Sequence, residues 1–137
     1  MSLSTAVIGA GSFGTSLAVL ASRTHDVKLW SRREEVASSI NHARQLVSER
    51  LSGVELPEGI TATSDLREAL KGRALAILAV PSQSLRSVMK TAGPLLEPGA
   101  IIVSAVKGIE FESGLTMHGV LEDVLDPIHH PRLVALS

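Results

Sequence analysis

The sequence predicts an α/β fold, a parallel sheet covered by helices on both faces, and three observations carry that prediction. Short apolar runs alternate with helical patterns along the 137 residues. The run at 74–80 (ALAILAV) is apolar throughout, as a strand buried on both faces must be. At the start of the chain, Thr5-Ala6-Val7-Ile8 runs straight into Gly9-Ala10-Gly11-Ser12-Phe13-Gly14 and then a helical pattern. Strand, glycine turn and helix in that order form a dinucleotide-binding signature.

Each glycine of the turn removes a different obstacle. Gly9 permits the tight turn, Gly11 lets a pyrophosphate approach the backbone, and Gly14 lets the helix pack closely on the strand. The helix, predicted over 13–22, aims unpaired amides and the positive end of its dipole at a diphosphate. A secretory signal is the alternative for this stretch, since no charge precedes Arg23, but a basic start is missing and glycines interrupt the apolar core. The stretch is also too short and glycine-rich to span a membrane.

The remaining elements follow in order. A second strand is predicted at 27–30 (VKLW) and a second helix from Glu34 to Ile40, then a loop over 53–59 fixed by Pro57. A third strand is short (Ile60-Thr61-Ala62), and Asp65 with Glu68 three residues on form a capping-box variant for the helix carrying Leu66, Ala69 and Leu70. Pro81 ends the 74–80 strand. A helix over 84–92, a break at Gly93-Pro94, a fifth strand at 100–104, a helix over 115–125 stopped by Asp126-Pro127, and a sixth strand at 133–136 complete the chain. Six strands with intervening helices make one domain over 1–137, a doubly wound, three-layer, Rossmann-type sheet that places ligands outside the carboxyl ends of its strands.

Composition narrows the function classes. A net charge of −1 and scattered basic residues give no electrostatic reason to expect nucleic acid or an anionic membrane. With no cysteine there is no disulfide framework, thiolate nucleophile or thiolate metal site, and a cytoplasmic location fits best.

Three strand ends carry chemistry at the ligand edge. The second ends in Trp30-Ser31-Arg32-Arg33, about twenty residues after the glycine turn, where this fold reads the adenosine ribose. Arginines there accommodate a 2′-phosphate and so favour NADP or tolerance of both NADP and NAD; the competing reading is a solvated helix start partly neutralised by Glu34 and Glu35. The fourth ends in Val80-Pro81-Ser82-Gln83, where proline stops the ladder and shapes a turn beside the cofactor. The fifth ends in Ser104-Ala105-Val106-Lys107-Gly108. Among the cations at that edge Lys107 is best placed to meet an anionic or carbonyl-bearing substrate, against the ordinary expectation of a solvated lysine.

Taken together, residues 9–15, Leu56-Pro57, the run 77–86 (ILAVPSQSLR) and the run 104–110 (SAVKGIE) resemble bacterial NAD(P)-dependent sn-glycerol-3-phosphate dehydrogenase along essentially the whole chain. The resemblance implies reduction of dihydroxyacetone phosphate to sn-glycerol 3-phosphate for glycerophospholipid synthesis, with a small-molecule substrate, a cytoplasmic location and room for a homodimer of the longer enzyme. It matches Ser12 and Phe13 to the family's glycine-loop cofactor contacts, Arg32 and Arg33 to its adenosine-phosphate contacts, and Lys107 to the lysine shared by cofactor and substrate. Lys107 is then an electrostatic or substrate-positioning group rather than the proton donor. Family members continue with Gly-Pro-Ser and a helical substrate domain holding the general acid/base. The chain given stops at Ala135-Leu136-Ser137, so no catalytic acid/base is expected within it and residues 1–137 alone are expected to be inactive. The loop before Gly53 departs from the family, with Val47, Arg50 and Leu51-Ser52-Gly53 where relatives carry an asparagine, an aromatic and Leu-Pro-Gly. Two other classes stay open: a non-catalytic NAD(P)-sensing module, and the cofactor domain of a 3-hydroxyacid or 6-phosphogluconate type dehydrogenase.

The other polar residues offer less. His129 and His130, between Pro127 and Pro131, are expected in an exposed turn and not on a metal. His25 reads as a helix-end or turn residue, and His42 and His118 as solvated helix residues. Trp30 reads as packing, with adenine stacking left open. Glu110 and Glu112 are expected to be solvated.

Overall fold

The computed structural model describes residues 2–43 and 56–136. Six parallel strands form one sheet in the order β3-β2-β1-β4-β5-β6: β1 Ser4–Ile8, β2 Asp26–Trp30, β3 Ile60–Thr63, β4 Leu75–Leu78, β5 Ile101–Ser104 and β6 Leu133–Ala135. The helices are α1 Ser12–Ala21, α2 Glu34–Ala43, α3 Leu66–Leu70, α4 Leu85–Ala92 and α5 Met117–Val124, with short 3-10 turns at Ser82–Ser84, Gly93–Leu95 and Pro127–Arg132. This is the predicted doubly wound, three-layer sheet, and the chain reverses its strand order between β1 and β4.

Strand periodicity divides the core in two. Ala6 and Ile8 of β1 face one side, with Ala76 and Leu78 of β4, Trp30, and the inner faces of α3, α4 and α5. Val7 faces the other, with Val27 and Leu29 of β2, Ile60 and Ala62 of β3, and Ala18, Val36, Ala37 and Ile40 of α1 and α2. Ile8, Leu29 and Leu78 are fully buried, each contributing about 1.5–3 kcal/mol of apolar transfer. The apolar stretch that opens the chain forms β1, paired on both sides, followed by α1.

Several predicted boundaries move for identifiable reasons. β4 is shorter than the apolar run, because the Ala79 N–H still reaches the Ile8 carbonyl at 2.8 Å but the chain then bends into the turn that Pro81 opens. The fifth strand begins at Ile101, and the last long helix begins at Met117 because Thr116 caps it, its hydroxyl accepting from the Gly119 N–H. The capping box at Asp65 is not made. Asp65 accepts from the Arg67 N–H, while Glu68 instead accepts from the Thr63 hydroxyl and never reaches back to the Asp65 amide. Asn41, on α2, bonds both backbone groups of Ala62 at 2.7 Å and so tethers α2 to the outer strand β3.

Two side-chain expectations are also corrected. His129 lies buried in the 3-10 turn rather than exposed, and His130 sets Nε2 3.2 Å from the Leu125 carbonyl. Glu110 is not solvated but gripped by Arg86, as described below. His25 accepts from the Leu3 N–H at 3.0 Å, and His118 lies 3.4 Å from Glu122 on α5. Val47, Arg50 and Leu51-Ser52-Gly53 lie outside the described residues. No helix among the described residues is long and apolar enough to cross a membrane.

Candidate dinucleotide site

Register brings four loops to one edge. Ile8 pairs with Trp30 and with Leu78, and Leu78 pairs with Ser104, so the chains leaving β1, β2, β4 and β5 emerge side by side at one level. They enclose a cleft of about 860 Å³. Gly9, Gly11, Ser12, Phe13 and Gly14 line it from the first loop, Arg32 and Arg33 from the second, Pro81 from the fourth strand's turn, and Lys107 from the loop after β5. Every site residue read from the sequence therefore faces one cavity of a size that suits a cofactor. Ser31, Val36 and Val106 also line it and carry no signal of a cofactor contact in the sequence, and Trp30, for which adenine stacking is left open, lines it too. Trp30 is nevertheless mainly a packing residue, buried, with its indole N–H donated to the Ser64 carbonyl at 3.0 Å.

The glycine turn is shaped by sterics at three distinct points. Gly9 has φ of +122°, and a Cβ there would stand 2.6 Å from the Ala79 carbonyl oxygen, so β1 can turn against the end of β4 only with glycine. A Cβ on Gly14 would collide with the Gly9 carbonyl, which locks the first turn of α1 onto the loop. Gly11 differs: its backbone is extended, and a Cβ would meet no protein atom within 4 Å. The space that Gly11 leaves free lies in the cleft, where a group from outside the chain would lie. No side chain caps α1 and no acidic residue sits in its first turn, so its amides are left for an incoming anion.

The cations at the cleft differ in freedom. Arg32 is exposed and has no ion-pair partner among the described residues, whereas Arg33 places Nε 2.7 Å from Glu35 and its backbone N–H on the Ser31 hydroxyl. The Arg33 guanidinium holds the Glu35 carboxyl below its ordinary value. Half of the neutralisation foreseen for this pair is therefore real, for Arg33 alone. Lys107 is exposed at the opposite end of the cleft, followed by Gly108 at φ of +120°. Uncapped amides, free space at Gly11 and two cations without an ion-pair partner among the described residues suit a group with several negative charges, as a pyridine dinucleotide is. No group of three or more metal-ligating side chains occurs among the described residues.

Past Lys107 the structure shows a feature that pattern reading left unassigned. Arg86 on α4 forks onto Glu110, with Nε and Nη2 at 2.9 and 3.0 Å from the two carboxylate oxygens, and extends Nη1 to Asp123 on α5 at 2.6 Å. Gln83 donates to the Ile109 carbonyl at 3.0 Å and accepts from the Phe111 N–H at 3.1 Å. Both residues lie in the run quoted for the family likeness, but their partners sit 24 to 37 positions away, beyond any local pattern.

Comparison with known proteins agrees with this geometry. The family model described as NAD-dependent glycerol-3-phosphate dehydrogenase N-terminus matches residues 4–137. Among curated relatives, the chain is 47% identical over 120 residues to the glycerol-3-phosphate dehydrogenase [NAD(P)+] of Corynebacterium urealyticum, covering 87% of this chain and 36% of that protein. It is 41% identical over 133 residues to the enzyme of the same name from a Geobacter species, covering 96% of this chain and 39% of the relative. Among solved structures, the glycerol-3-phosphate dehydrogenase of Coxiella burnetii superposes with a TM-score of 0.78 at 31% identity, over 90% of this chain and 38% of that one. The chain thus spans less than two fifths of the length of these relatives.

Proposed function

The chain belongs to the NAD-dependent glycerol-3-phosphate dehydrogenase family, matching its N-terminal part, and from that premise we propose that it is the dinucleotide-binding domain of an enzyme reducing dihydroxyacetone phosphate to sn-glycerol 3-phosphate with NADPH or NADH. The observation that carries the reading is the convergence of the glycine turn, Arg32 and Lys107 on one cleft at the reversal of strand order.

Each residue has a defined task in this proposal. The amides at Ser12 and Phe13, opening α1, hold the pyrophosphate against Gly11. Arg32, with Arg33 in a lesser role, meets the 2′-phosphate of the adenosine ribose. When bound, the nicotinamide supplies the hydride that adds to the ketone carbon of the substrate. Lys107, at the far end of the cleft, lends its charge to the bound dinucleotide and also stabilises the charge that develops on the substrate oxygen, or holds the substrate in reach. Pro81 fixes the turn that forms the floor beside it. The proton that completes the alcohol comes, in this proposal, from a general acid that none of residues 1–137 supplies. The enzyme so described is cytoplasmic and supplies glycerol phosphate for glycerophospholipid synthesis.

Titration calorimetry of this chain with NADPH and NADH tests the reading. Binding of either, with NADPH weakened selectively in Arg32→Ala/Arg33→Ala, is the expected result. A folded chain that binds neither overturns the reading of the cleft. Reduction of dihydroxyacetone phosphate by residues 1–137 alone would overturn the assignment of the proton donor.

A further inference from the structure

We propose that Arg86 and Gln83 are positioning residues that set where Lys107 stands in the cleft, by clamping the loop that follows it to α4. The proposal deepens the reading above and rests on Lys107 being a cleft cation. It starts from a difficulty: Lys107 is exposed and has no partner among the described residues, and the next residue, Gly108, takes a left-handed conformation. A long side chain on such a loop would wander, and positioning requires that its backbone be held.

The structure supplies that hold from α4 and the turn leading into it. Gln83 pairs with the backbone on both sides of Glu110, through the Ile109 carbonyl and the Phe111 N–H, as a strand neighbour would. One turn on, Arg86 takes the Glu110 carboxylate in a two-point fork, a geometry that fixes orientation as well as distance. The same carboxylate accepts from the Ser113 hydroxyl at 2.6 Å, and the Glu110 N–H reaches the Leu115 carbonyl at 2.8 Å, so the loop is closed on itself and then tied to Arg86. The Ile109–Thr116 bridge completes the closure. A Cβ placed on Gly108 would stand 3.8 Å from the Ser82 side chain, so the loop passes beside the turn after Pro81. The clamp therefore joins the two strand ends, β4 and β5, that carry Pro81 and Lys107. Asp123 occupies the remaining arm of Arg86 and ties it to α5, away from the loop.

A coupling experiment tests this on the chain described here. Arg86→Met and Gln83→Ala are each expected to lower the backbone order of residues 107–111, read by 15N relaxation, while residues 30–33 stay unchanged. Lys107→Ala is expected to weaken NADPH binding about tenfold, the worth of one charge-assisted hydrogen bond. Arg86→Met is expected to weaken it to a similar extent, and the double variant no further, since Arg86 acts through Lys107. Arg86→Lys, which keeps charge but loses the fork, is expected to recover binding only in part, and Asp123→Asn to leave it unaltered. Unchanged order at 107–111 in both variants, or losses that multiply in the double variant, overturns the proposal. A wild-type chain that binds neither dinucleotide overturns the functional reading instead, and the order measurement then still decides the clamp.

Discussion

The two ends of the cleft are built by different means. At the β1–β2 end the backbone does the work: glycines without side chains let β1, α1 and β4 approach until a single methyl would not fit, and the cations Arg32 and Arg33 are added at the surface. At the β4–β5 end side chains do it, with Gln83 and Arg86 reaching across to hold the loop that follows Lys107. The first end is set by contacts between residues close in sequence plus one strand neighbour. The second depends on partners brought together only by the fold. A glycine turn is therefore a rigid frame for an anion, while the lysine end can be tuned or lost by changes far from it.

The largest test of that contrast lies within the glycine turn itself. Gly9→Ala combines a forbidden φ with a Cβ 2.6 Å from the Ala79 carbonyl, and is expected to cost about 3 kcal/mol or more. Gly11→Ala adds the same methyl into empty space on an extended backbone, so its stability should stay within about 0.5 kcal/mol of the parent. Its NADPH affinity should nevertheless fall about tenfold or more, because the methyl would occupy the space that the proposed site gives to the pyrophosphate. Urea unfolding and calorimetry on the two variants separate space kept for the protein from space kept for the ligand. Equal stability losses at both positions would break the distinction.

The same contrast explains what the sequence alone made legible. The turn at 9–14, the presence of six strands and the doubly wound class follow from local rules, in which apolar runs mark strands and glycine spacing marks the turn. Those rules place Arg32, Pro81 and Lys107 at one edge because parallel strands share a direction. They are silent on which charges meet. Glu110 reads as solvated because no partner constellation accompanies it in the sequence, yet Arg86 reaches it from 24 residues away. Likewise Glu68, three residues after Asp65, satisfied a capping pattern but found the Thr63 hydroxyl at the end of β3 first. His129 is buried by the packing of its 3-10 turn, which flanking prolines suggested would be exposed. Long-range pairings are settled by the assembled sheet, and no window along the chain contains them.

A smaller effect distinguishes the two arginines. Arg32 has no ion-pair partner among the described residues, while Arg33 spends part of its guanidinium on Glu35. Arg32→Ala should therefore raise the dissociation constant for NADPH about tenfold and leave NADH within about twofold, as one lost contact to a 2′-phosphate predicts. Arg33→Ala should cost less, and Glu35→Gln should improve NADPH binding slightly by releasing Arg33. All three effects should shrink with added salt, since the groups are exposed. An Arg33 effect larger than that of Arg32 would assign the phosphate to the other residue.

The smallest expected effect compares the two carboxylates that hold cleft residues in place. Glu110 is held below its ordinary value of 4.5, first by the Arg86 fork and then by the Ser113 hydroxyl, and Glu35 is held down by Arg33. A carboxylate whose folded value is depressed contributes stability that is fully present above the unfolded value and is lost as pH falls through the folded one. Both contributions should therefore be constant from neutrality down to about pH 5 and fade below about 4.5. They differ in reach. Glu35 sits on a pair exposed on both sides, so its protonation should pass unnoticed outside the start of α2. Glu110 ties together the loop, α4 and, through Arg86, α5, so its protonation should release residues 109–115 as a unit. Amide exchange followed from neutrality to about pH 3 should show that release in the parent and none of its pH dependence in Glu110→Gln, where the loop is already loosened. A loop that opens at the same acidic pH in both would mean that Arg86 grips Glu110 without holding the loop through it.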